Sequence, residues 1–313
     1  MKNKITERRR ISRRRRFTEG AAHHIYQRTV GGFNLFYDIE DYLVYFTIFS
    51  TSARKYHVTV LGLCLMFDHV HMLLQSDTRL QMSEFVRQVT SMFAREQNTD
   101  VGRKGNLFQA RFGSASKRGL KMFRTSVAYL FNNPVEKQLC SRAEEYIWNF
   151  LAYAVSEHPF SSPVIKKNIS QALRHALKEV KTARDEERHL RYGQLTRMFG
   201  KLNGPERMQL MDYVITLYNP IEYEELIKCY GSYKDMLIAV NSNTGSEYDI
   251  KEERSRFSDM EYISMLNILR DVEGIKSARK VTGYEYDEKI RLLYILKSHL
   301  SSPESQLRKF LHL

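Results

Sequence analysis

Apolar residues recur at two different periods along the chain and divide it into two halves of different structural class. In the first half, period-two alternation predicts strands and 3.6-residue spacing predicts helices. The elements run β-α-β-β-α-β-α, which indicates an α+β fold with a largely antiparallel sheet. The predicted strands are His23–Val30, Tyr56–Met66, His69–Gln75 and Leu107–Ser114, and the predicted helices are Ile39–Lys55, Ser83–Asn98 and Leu120–Asn132, the last one stopped by Pro134.

Beyond residue 160 every segment has helical spacing and none indicates a strand. The segment His158–Pro163 is the best candidate for a linker, because it is short and contains two prolines. We therefore expect a basic arm at 1–20, a mixed domain at 21–155 and an all-α domain at 160–313. The predicted helices of that domain are Ile165–His189, Glu206–Leu217, Glu222–Val240, Met260–Ile275 and Asp287–His299.

Charge is distributed as unevenly as secondary structure. The formal net charge of the chain is +13, of which residues 1–150 contribute +11 (24 basic, 13 acidic). Residues 1–28 contribute +8, and residues 101–124 contribute +7 with no acidic residue. Such clusters are typical of proteins that bind phosphate chains, although a solubilising arm and a solvated face are the alternative. The candidate DNA-binding residues are Arg13, Arg14, Arg15 and Arg16 in the arm and Arg111, Lys117 and Arg118 in the second cluster.

Several classes of protein are not expected. No apolar run approaches the ~18 residues of a membrane span, and the basic N-terminus has no apolar stretch of the kind that follows in a secretory signal. The three cysteines, Cys64, Cys140 and Cys229, are widely spaced and indicate neither a disulfide framework nor a zinc site. A cytoplasmic protein is the expectation.

The segment Phe67–Leu74 contains a His-x-His pair within a predicted strand. His69 and His71 share one face of that strand, because side chains at i and i+2 point the same way. Two imidazoles ~7 Å apart along a strand can converge on one divalent ion. The alternative is a strand with two hydrogen-bonded surface histidines.

A second candidate is the segment Tyr129–Val135. If the helix continues through Asn133, Tyr129 and Asn133 are at i and i+4 and lie on one face. A phenol beside an amide oxygen offers a nucleophile and a neutral metal ligand. Pro134 biases Asn133 away from the helical conformation, and a helical tyrosine is commonly a packing residue.

Together these segments resemble the HUH (His-hydrophobe-His) nucleases, and among them the single-tyrosine transposases of the REP-associated and IS200-like group. The matching blocks are HHIYQRTVGG, CLMFDHVHMLL, GNLFQARFGS, and YLFNNPV followed by WNFLAY. The resemblance covers about residues 20–155. The histidines precede the tyrosine along the chain, as they do in these transposases. Two such blocks ~60 residues apart are far more specific than either block alone.

The resemblance implies a ferredoxin-like antiparallel sheet with helices and a transposase that nicks and rejoins single-stranded or hairpin DNA. It implies that His69, His71 and Asn133 bind Mg²⁺ or Mn²⁺, which suit oxygen ligands and phosphate. Tyr129 then serves as the nucleophile, forming a 5′-phosphotyrosine and releasing a 3′-hydroxyl. Relatives include monomers and dimers that exchange the tyrosine helix, so both states remain open.

Two other functions remain open. The first alternative to the transposase is a domesticated, non-catalytic protein that binds hairpin DNA or RNA on the same fold. The second is a metal phosphoesterase that uses water in place of tyrosine. The end of the helical domain, Ile290–Leu313, weakly resembles a helix-turn-helix, and an ordinary helical hairpin is the alternative.

Overall fold

The first half of the chain forms a four-stranded antiparallel sheet with helices. The computed structural model describes residues 17–165, 167, 169–242 and 258–313. Strands and helices alternate in the order β1, α1, β2, β3, α2, β4, α3, and the strand order across the sheet is β2-β3-β1-β4. This is the ferredoxin-like arrangement expected from the sequence. The elements are β1 Ala22–Arg28, α1 Ile39–Lys55, β2 Thr59–Leu65, β3 His69–Gln75, α2 Arg79–Val101, β4 Gly113–Lys117 and α3 Gly119–Glu136.

The central pair of strands, β1 and β3, fixes which residues share a face of the sheet. Tyr26 lies opposite His71 and Arg28 lies opposite His69 in the antiparallel register. Alternate residues such as Ile25 and Met72 point to the other face and are fully buried. Because paired residues of β1 and β3 point to the same face, the apolar side chains of both strands lie on one face of the sheet and the polar ones on the other.

Helix α3 packs on the polar face of the sheet, and one glycine of β2 allows its close approach. A Cβ at Gly62 would lie 3.3 Å from Leu130 Cδ2, which is tighter than a normal contact, and 3.5 Å from Phe131 Cζ, which is an ordinary contact. Leu130 and Phe131 are themselves fully buried. The sheet and α3 are therefore held at a separation that only a glycine at position 62 permits without adjustment.

Helix α3 is longer than the sequence predicts. The expectation that Pro134 stops the helix was wrong, since the helix continues to Glu136 with Pro134 inside it. A proline removes one backbone hydrogen bond, but neighbouring carbonyls receive side-chain donors: Asn133 Nδ2 donates to Tyr129 O (3.4 Å) and Asn149 Nδ2 donates to Phe131 O (3.1 Å). Burial of the last turns keeps this segment helical.

Two other boundaries differ from the expectations. The strand expected at Leu107–Ser114 is placed at Gly113–Lys117, with only an isolated bridge between Thr29 and Phe108 before it. The single helix expected at Glu222–Val240 is two helices, because the chain adopts a positive φ of 93° at Gly231. Glycine adopts this conformation without steric cost, and it ends the first helix.

Within the described part of the second half, all regular elements are helical. Helices α4 to α8 share one hydrophobic core with the sheet, and α9 to α11 form a second core that includes Tyr37 and Phe67. The irregular segment around His158–Pro163 is tied to α6, since Asp212 accepts hydrogen bonds from Phe160 N (3.2 Å) and Ser161 Oγ (2.7 Å). The helices are α4 Gln171–Asp185, α5 Tyr192–Phe199, α6 Gly204–Tyr218, α7 Tyr223–Tyr230, α8 Tyr233–Asn241, α9 Met260–Asp271, α10 Tyr286–His299 and α11 Glu304–Leu311.

Candidate functional site

The two histidines of β3 lie side by side on the polar face of the sheet. Their ring centroids are 4.9 Å apart, and both residues are buried. Tyr26 of β1 lies against both, with ring centroids 5.3 Å from His69 and 5.0 Å from His71. The alternation within β3 thus produces the shared face that the His-x-His spacing predicts.

A third histidine, His24 of β1, holds the ring of His71. His24 Nε2 lies 3.0 Å from His71 Nδ1, and both rings are fully buried. Burial, followed by the charges of His69, His24, Arg28 and Lys137, holds the pKa of His71 well below its usual value. His71 is therefore neutral at physiological pH, which is the form in which a histidine binds a metal.

His69 is held by its neighbour in sequence. Its Nδ1 is hydrogen-bonded to Asp68 Oδ1. Burial raises the pKa of the Asp68 carboxyl, but the charge of His69, this hydrogen bond, and Arg28 and Lys137 together lower it below its usual value. The opposite nitrogen, His69 Nε2, is buried and has no hydrogen-bond partner among the described residues. A buried nitrogen left in this state is suited to a ligand.

Tyr129 of α3 reaches the histidines from above the sheet. Its ring centroid is 5.7 Å from His71 and 5.8 Å from His24, and 4 % of the residue is exposed. Asn133 follows one turn later on the same helix, is buried, and donates from Nδ2 to Tyr129 O. The i, i+4 relationship expected for this pair is present, and the structure brings Tyr129 and the two histidines of one chain together.

Tyr26 is a second tyrosine in the same site. Arg28 donates from Nε to the Tyr26 hydroxyl, and its guanidinium carbon lies 5.2 Å from the centre of the Tyr26 ring. The Arg28 cation stabilises negative charge on that side of the site. Two tyrosine rings therefore lie next to His71, with centroids 5.0 Å (Tyr26) and 5.7 Å (Tyr129) from its ring.

The helical half supplies a carboxyl to the edge of the site. Asp259 precedes α9, is 5 % exposed, and has its Oδ2 buried without a hydrogen-bond partner in the described chain. Burial and the nearby Asp68 raise its pKa to about 6, against the lowering effect of Lys137 and His69. The region beyond the sheet therefore contributes charge next to the His-x-His motif.

The predicted basic residues lie at different places. Lys117 is the last residue of β4 and is 4 % exposed, whereas Arg118 is exposed at the start of α3 and donates from Nη2 to Thr18 Oγ1 (3.0 Å). Arg111 is exposed and precedes β4. The arm residues Arg13, Arg14, Arg15 and Arg16 lie outside the described residues. Phe108 is buried in the core.

The donor set fits the divalent ion that the resemblance implies. Across the described parts of the chain, no group of three His, Cys, Asp or Glu side chains has the arrangement of a metal site. The expected set instead has two imidazoles and the Asn133 amide, and the unpartnered His69 Nε2 is the observation that supports it. The Asn133 amide oxygen and phosphate oxygens suit Mg²⁺ or Mn²⁺, and neutral imidazole is a common ligand of divalent metals.

Some residues of this site were missed by the sequence analysis. The period-two pattern of His24, Tyr26 and Arg28 was visible in β1 and placed all three on one face. That pattern did not show that β1 would lie next to β3, since the pairing joins positions far apart in sequence. Asp259 carried no signal at all, because its position depends on the packing of α9 against the sheet region.

Comparisons with known proteins bear on the first half of the chain. Residues 24–133 match the sequence family described as Transposase IS200 like. A solved structure described as a REP-associated tyrosine transposase bound to a REP hairpin is 17% identical, with a TM-score of 0.40, and the match covers 45% of this chain and 83% of that chain. No curated protein matches the chain. None of the described helices is both long and apolar enough to cross a membrane. Residues 24–133 thus match the IS200-like transposase family, which confirms the resemblance expected from the sequence.

Proposed function

We propose that this protein cleaves and rejoins single-stranded DNA through a covalent bond between Tyr129 and a 5′-phosphate. The observation that carries the proposal is the convergence of Tyr129 with the two histidines: the Tyr129 and His71 rings are 5.7 Å apart, and the His71 and His69 rings are 4.9 Å apart. The family match over residues 24–133 supports a DNA transposase-like activity at this site.

In this proposal His69, His71 and Asn133 hold the divalent ion, Mg²⁺ or Mn²⁺. When bound, the ion polarises the scissile phosphate and offsets negative charge that develops there. His24 and Asp68 fix the rings of His71 and His69, so that the same nitrogen of each ring is presented to the ion. The two histidines act as ligands only while neutral, and burial keeps His71 in that form.

The covalent step is a transesterification. The Tyr129 hydroxyl oxygen forms a bond to phosphorus and loses its proton, the bond from phosphorus to O3′ breaks, and the released 3′-hydroxyl gains a proton. The phosphotyrosine ester conserves the bond energy. A 3′-hydroxyl, from the same or another strand, then attacks phosphorus, displaces Tyr129 and rejoins the DNA without a nucleotide cofactor.

The strand is bound by the positive charge around α3. Lys117 and Arg118 lie where β4 ends and α3 begins, and Arg111 precedes β4. The basic arm, with Arg13, Arg14, Arg15 and Arg16, would lie along the phosphates of a DNA hairpin, so its removal should flatten the salt dependence of binding. The cytoplasm is the compartment proposed with this activity.

The test is covalent capture of labelled DNA. Wild-type protein with Mn²⁺ and hairpin-bearing single-stranded DNA should form an adduct that survives denaturing electrophoresis, and Tyr129→Phe should form none. Tyr26→Phe is the matched control, because it removes a hydroxyl from the other tyrosine in the same site. An adduct lost in Tyr26→Phe and retained in Tyr129→Phe would reassign the nucleophile.

Two rival functions give different results in the same assay. A non-catalytic binder of hairpin DNA or RNA retains affinity for nucleic acid, but neither the wild type nor either tyrosine variant forms an adduct. A metal phosphoesterase that uses water releases cleaved product continuously without any adduct. The observation that favours the second rival is the burial of Tyr129, which is 4 % exposed.

A further inference from the structure

A cavity of about 520 Å³ lies next to the candidate site, on the same face of the sheet. Ala22 lines it, and Ala22 and His24 are two residues apart in β1 and therefore point to the same side. That spacing corresponds to about 7 Å along a strand. On α3, Phe123 lines the cavity and precedes Tyr129 by six residues, or about 9 Å along the helix axis. The cavity thus lies on the face of the sheet that carries His24, about 7 Å from it along β1, and neither a histidine nor Tyr129 lines it.

The walls of the cavity combine positive charge with apolar surface. Lys117 and Arg118 form part of the lining, where the first turn of α3 also begins. Backbone N–H groups and the helix dipole at such a position favour an anion such as phosphate. Leu120 and Phe123 line the cavity from the first turns of α3, and Leu120 is 55% exposed.

The remaining wall comes from the helical half of the chain. Glu225 and Cys229 of α7 line the cavity together with Glu19. Carboxylates accept hydrogen bonds from the exocyclic amino groups of nucleobases. Helix α7 lies outside the segment that matches the transposase family, so this cavity is formed jointly by that segment and by the helices that follow it.

We propose that this cavity binds one unpaired nucleotide of the DNA strand that enters the candidate site, with its phosphate at Lys117 and Arg118 and its base against Phe123. The inference rests on the proposed function for the identity of the ligand. Base stacking on aromatic side chains tolerates any sequence and contributes ~1–3 kcal/mol. Pockets of 300–1,000 Å³ with apolar walls and a few polar groups are typical of small-ligand sites.

Cys229 permits a direct test, because it lines the cavity and Cys140 does not. Both thiols are partly exposed, whereas Cys64 is buried. The full-length protein is labelled with a neutral maleimide under three conditions. These are no DNA, a mixed-sequence single-stranded oligonucleotide, and an abasic oligonucleotide of equal length and charge. The mixed-sequence strand should slow labelling of Cys229 by ~10-fold, a stacking-sized effect, and the abasic strand should not. Labelling of Cys140 should be unchanged by either strand.

A charge substitution supplies a second measurement. Leu120→Glu places an acid in the cavity. The control, Ile238→Glu, places an acid on α8 at an apolar residue of similar exposure, since Ile238 is 57% exposed and Leu120 is 55% exposed. Leu120→Glu should weaken binding of the mixed-sequence strand ~10-fold and should weaken the abasic strand less. Ile238→Glu should bind both strands like the wild type.

The outcomes separate this proposal from the proposed function. Equal protection of Cys229 by both strands, or no protection by either, overturns the nucleotide site even if Tyr129 forms its adduct. Protection by the mixed-sequence strand alone, in a protein that forms no adduct, supports the nucleotide site and contradicts the cleavage activity.

Discussion

His24 Nε2 lies 3.0 Å from His71 Nδ1, so a histidine of β1 determines which nitrogen of His71 is left for a ligand. If a metal binds His71 Nε2, the proton of the neutral ring resides on Nδ1, and His71 donates it to His24. Such a partner fixes both the tautomer and the orientation of a metal-binding histidine.

The first prediction follows from this pair. His24→Leu should lower the affinity for Mn²⁺ by ~10–100-fold, because the His71 ring loses its acceptor. His24→Gln should retain most of the affinity, since its amide oxygen can accept the same hydrogen bond. Mn²⁺ binding is measured by electron paramagnetic resonance of the free ion, with thermal unfolding as the control for folding. Equal affinity in His24→Leu and wild type would show that His24 does not position His71.

Gly62 sets the distance between α3 and the sheet. Gly62→Ala should displace α3, because the added Cβ would lie 3.3 Å from Leu130 Cδ2. We expect a loss of ~1–3 kcal/mol in the free energy of unfolding, as for other overpacked cores. Formation of the Tyr129 adduct should slow by ~10-fold or more, because small displacements of reacting groups are costly.

The control for Gly62 is Gly113→Ala in β4, where the added Cβ would make an ordinary contact, 3.6 Å from Tyr26 Cβ. Stability is measured by urea denaturation and adduct formation by single-turnover electrophoresis. A Gly62→Ala variant that is destabilised but forms the adduct at the wild-type rate would show that the reaction tolerates a shift of α3.

Arg279 connects the helical half to the sheet half through a buried ion-pair network. Its side chain is 3% exposed and pairs with Asp100 (Nε to Oδ2, 2.8 Å) and Asp38 (Nη1 to Oδ2, 3.4 Å). Its guanidinium also lies 4.2 Å from the centre of the Tyr192 ring. Arg279 Nη1 also lies 3.8 Å from Oδ1 of the fully buried Asp41. Arg279→Met should lower the free energy of unfolding by ~3–5 kcal/mol, because one buried and two partly buried carboxylates lose their counter-charge.

The matched control is Arg291→Met, which removes an exposed pair with Glu273 (Nη1 to Oε2, 2.8 Å). Exposed pairs contribute ~0–1 kcal/mol. Both variants are compared by urea denaturation at one pH and salt concentration. A similar small loss in both would mean that the buried network does not hold the two halves together.

His312 gives the protein a specific sensitivity to acid. Its Nε2 lies 2.8 Å from Asn34 O, and its ring stacks on Phe33. Burial lowers the pKa of His312 to about 3, with Arg103 and Lys289 acting in the same direction against the backbone hydrogen bond to Asn34. Between pH 6.5 and 3 the unfolded chain therefore binds a proton at this position that the folded chain does not, so stability falls as pH falls.

The expected result is an additional loss for the wild type of ~3 kcal/mol between pH 7 and pH 4, relative to His312→Phe. Phenylalanine retains the ring stacking and cannot be protonated, so its effect is independent of pH. The measurement is the free energy of unfolding from denaturant titrations at the two pH values. Parallel pH profiles for the two proteins would assign the acid sensitivity to other groups.

Local geometry explains which features could be predicted from the sequence. Helix α1 and strand β3 have the bounds that their apolar periods predict, and His69 and His71 share a face because alternation is a property of a single strand. The Tyr129 and Asn133 spacing required only that the helix continue for one more turn. Each of these features depends on neighbours within a few residues.

Tertiary contacts decided the rest. Pro134 is tolerated inside α3 because this part of the helix is buried against the sheet and side-chain donors reach nearby carbonyls. His24 joins the site because β1 pairs with β3, and Asp259 does so because α9 packs beside the sheet. The sequence by itself thus determined the strand that carries His69 and His71 and the helix that carries Tyr129, since their periods are local. Only the fold decided which side chains surround them, because strand pairing and helix packing join residues that no local pattern relates.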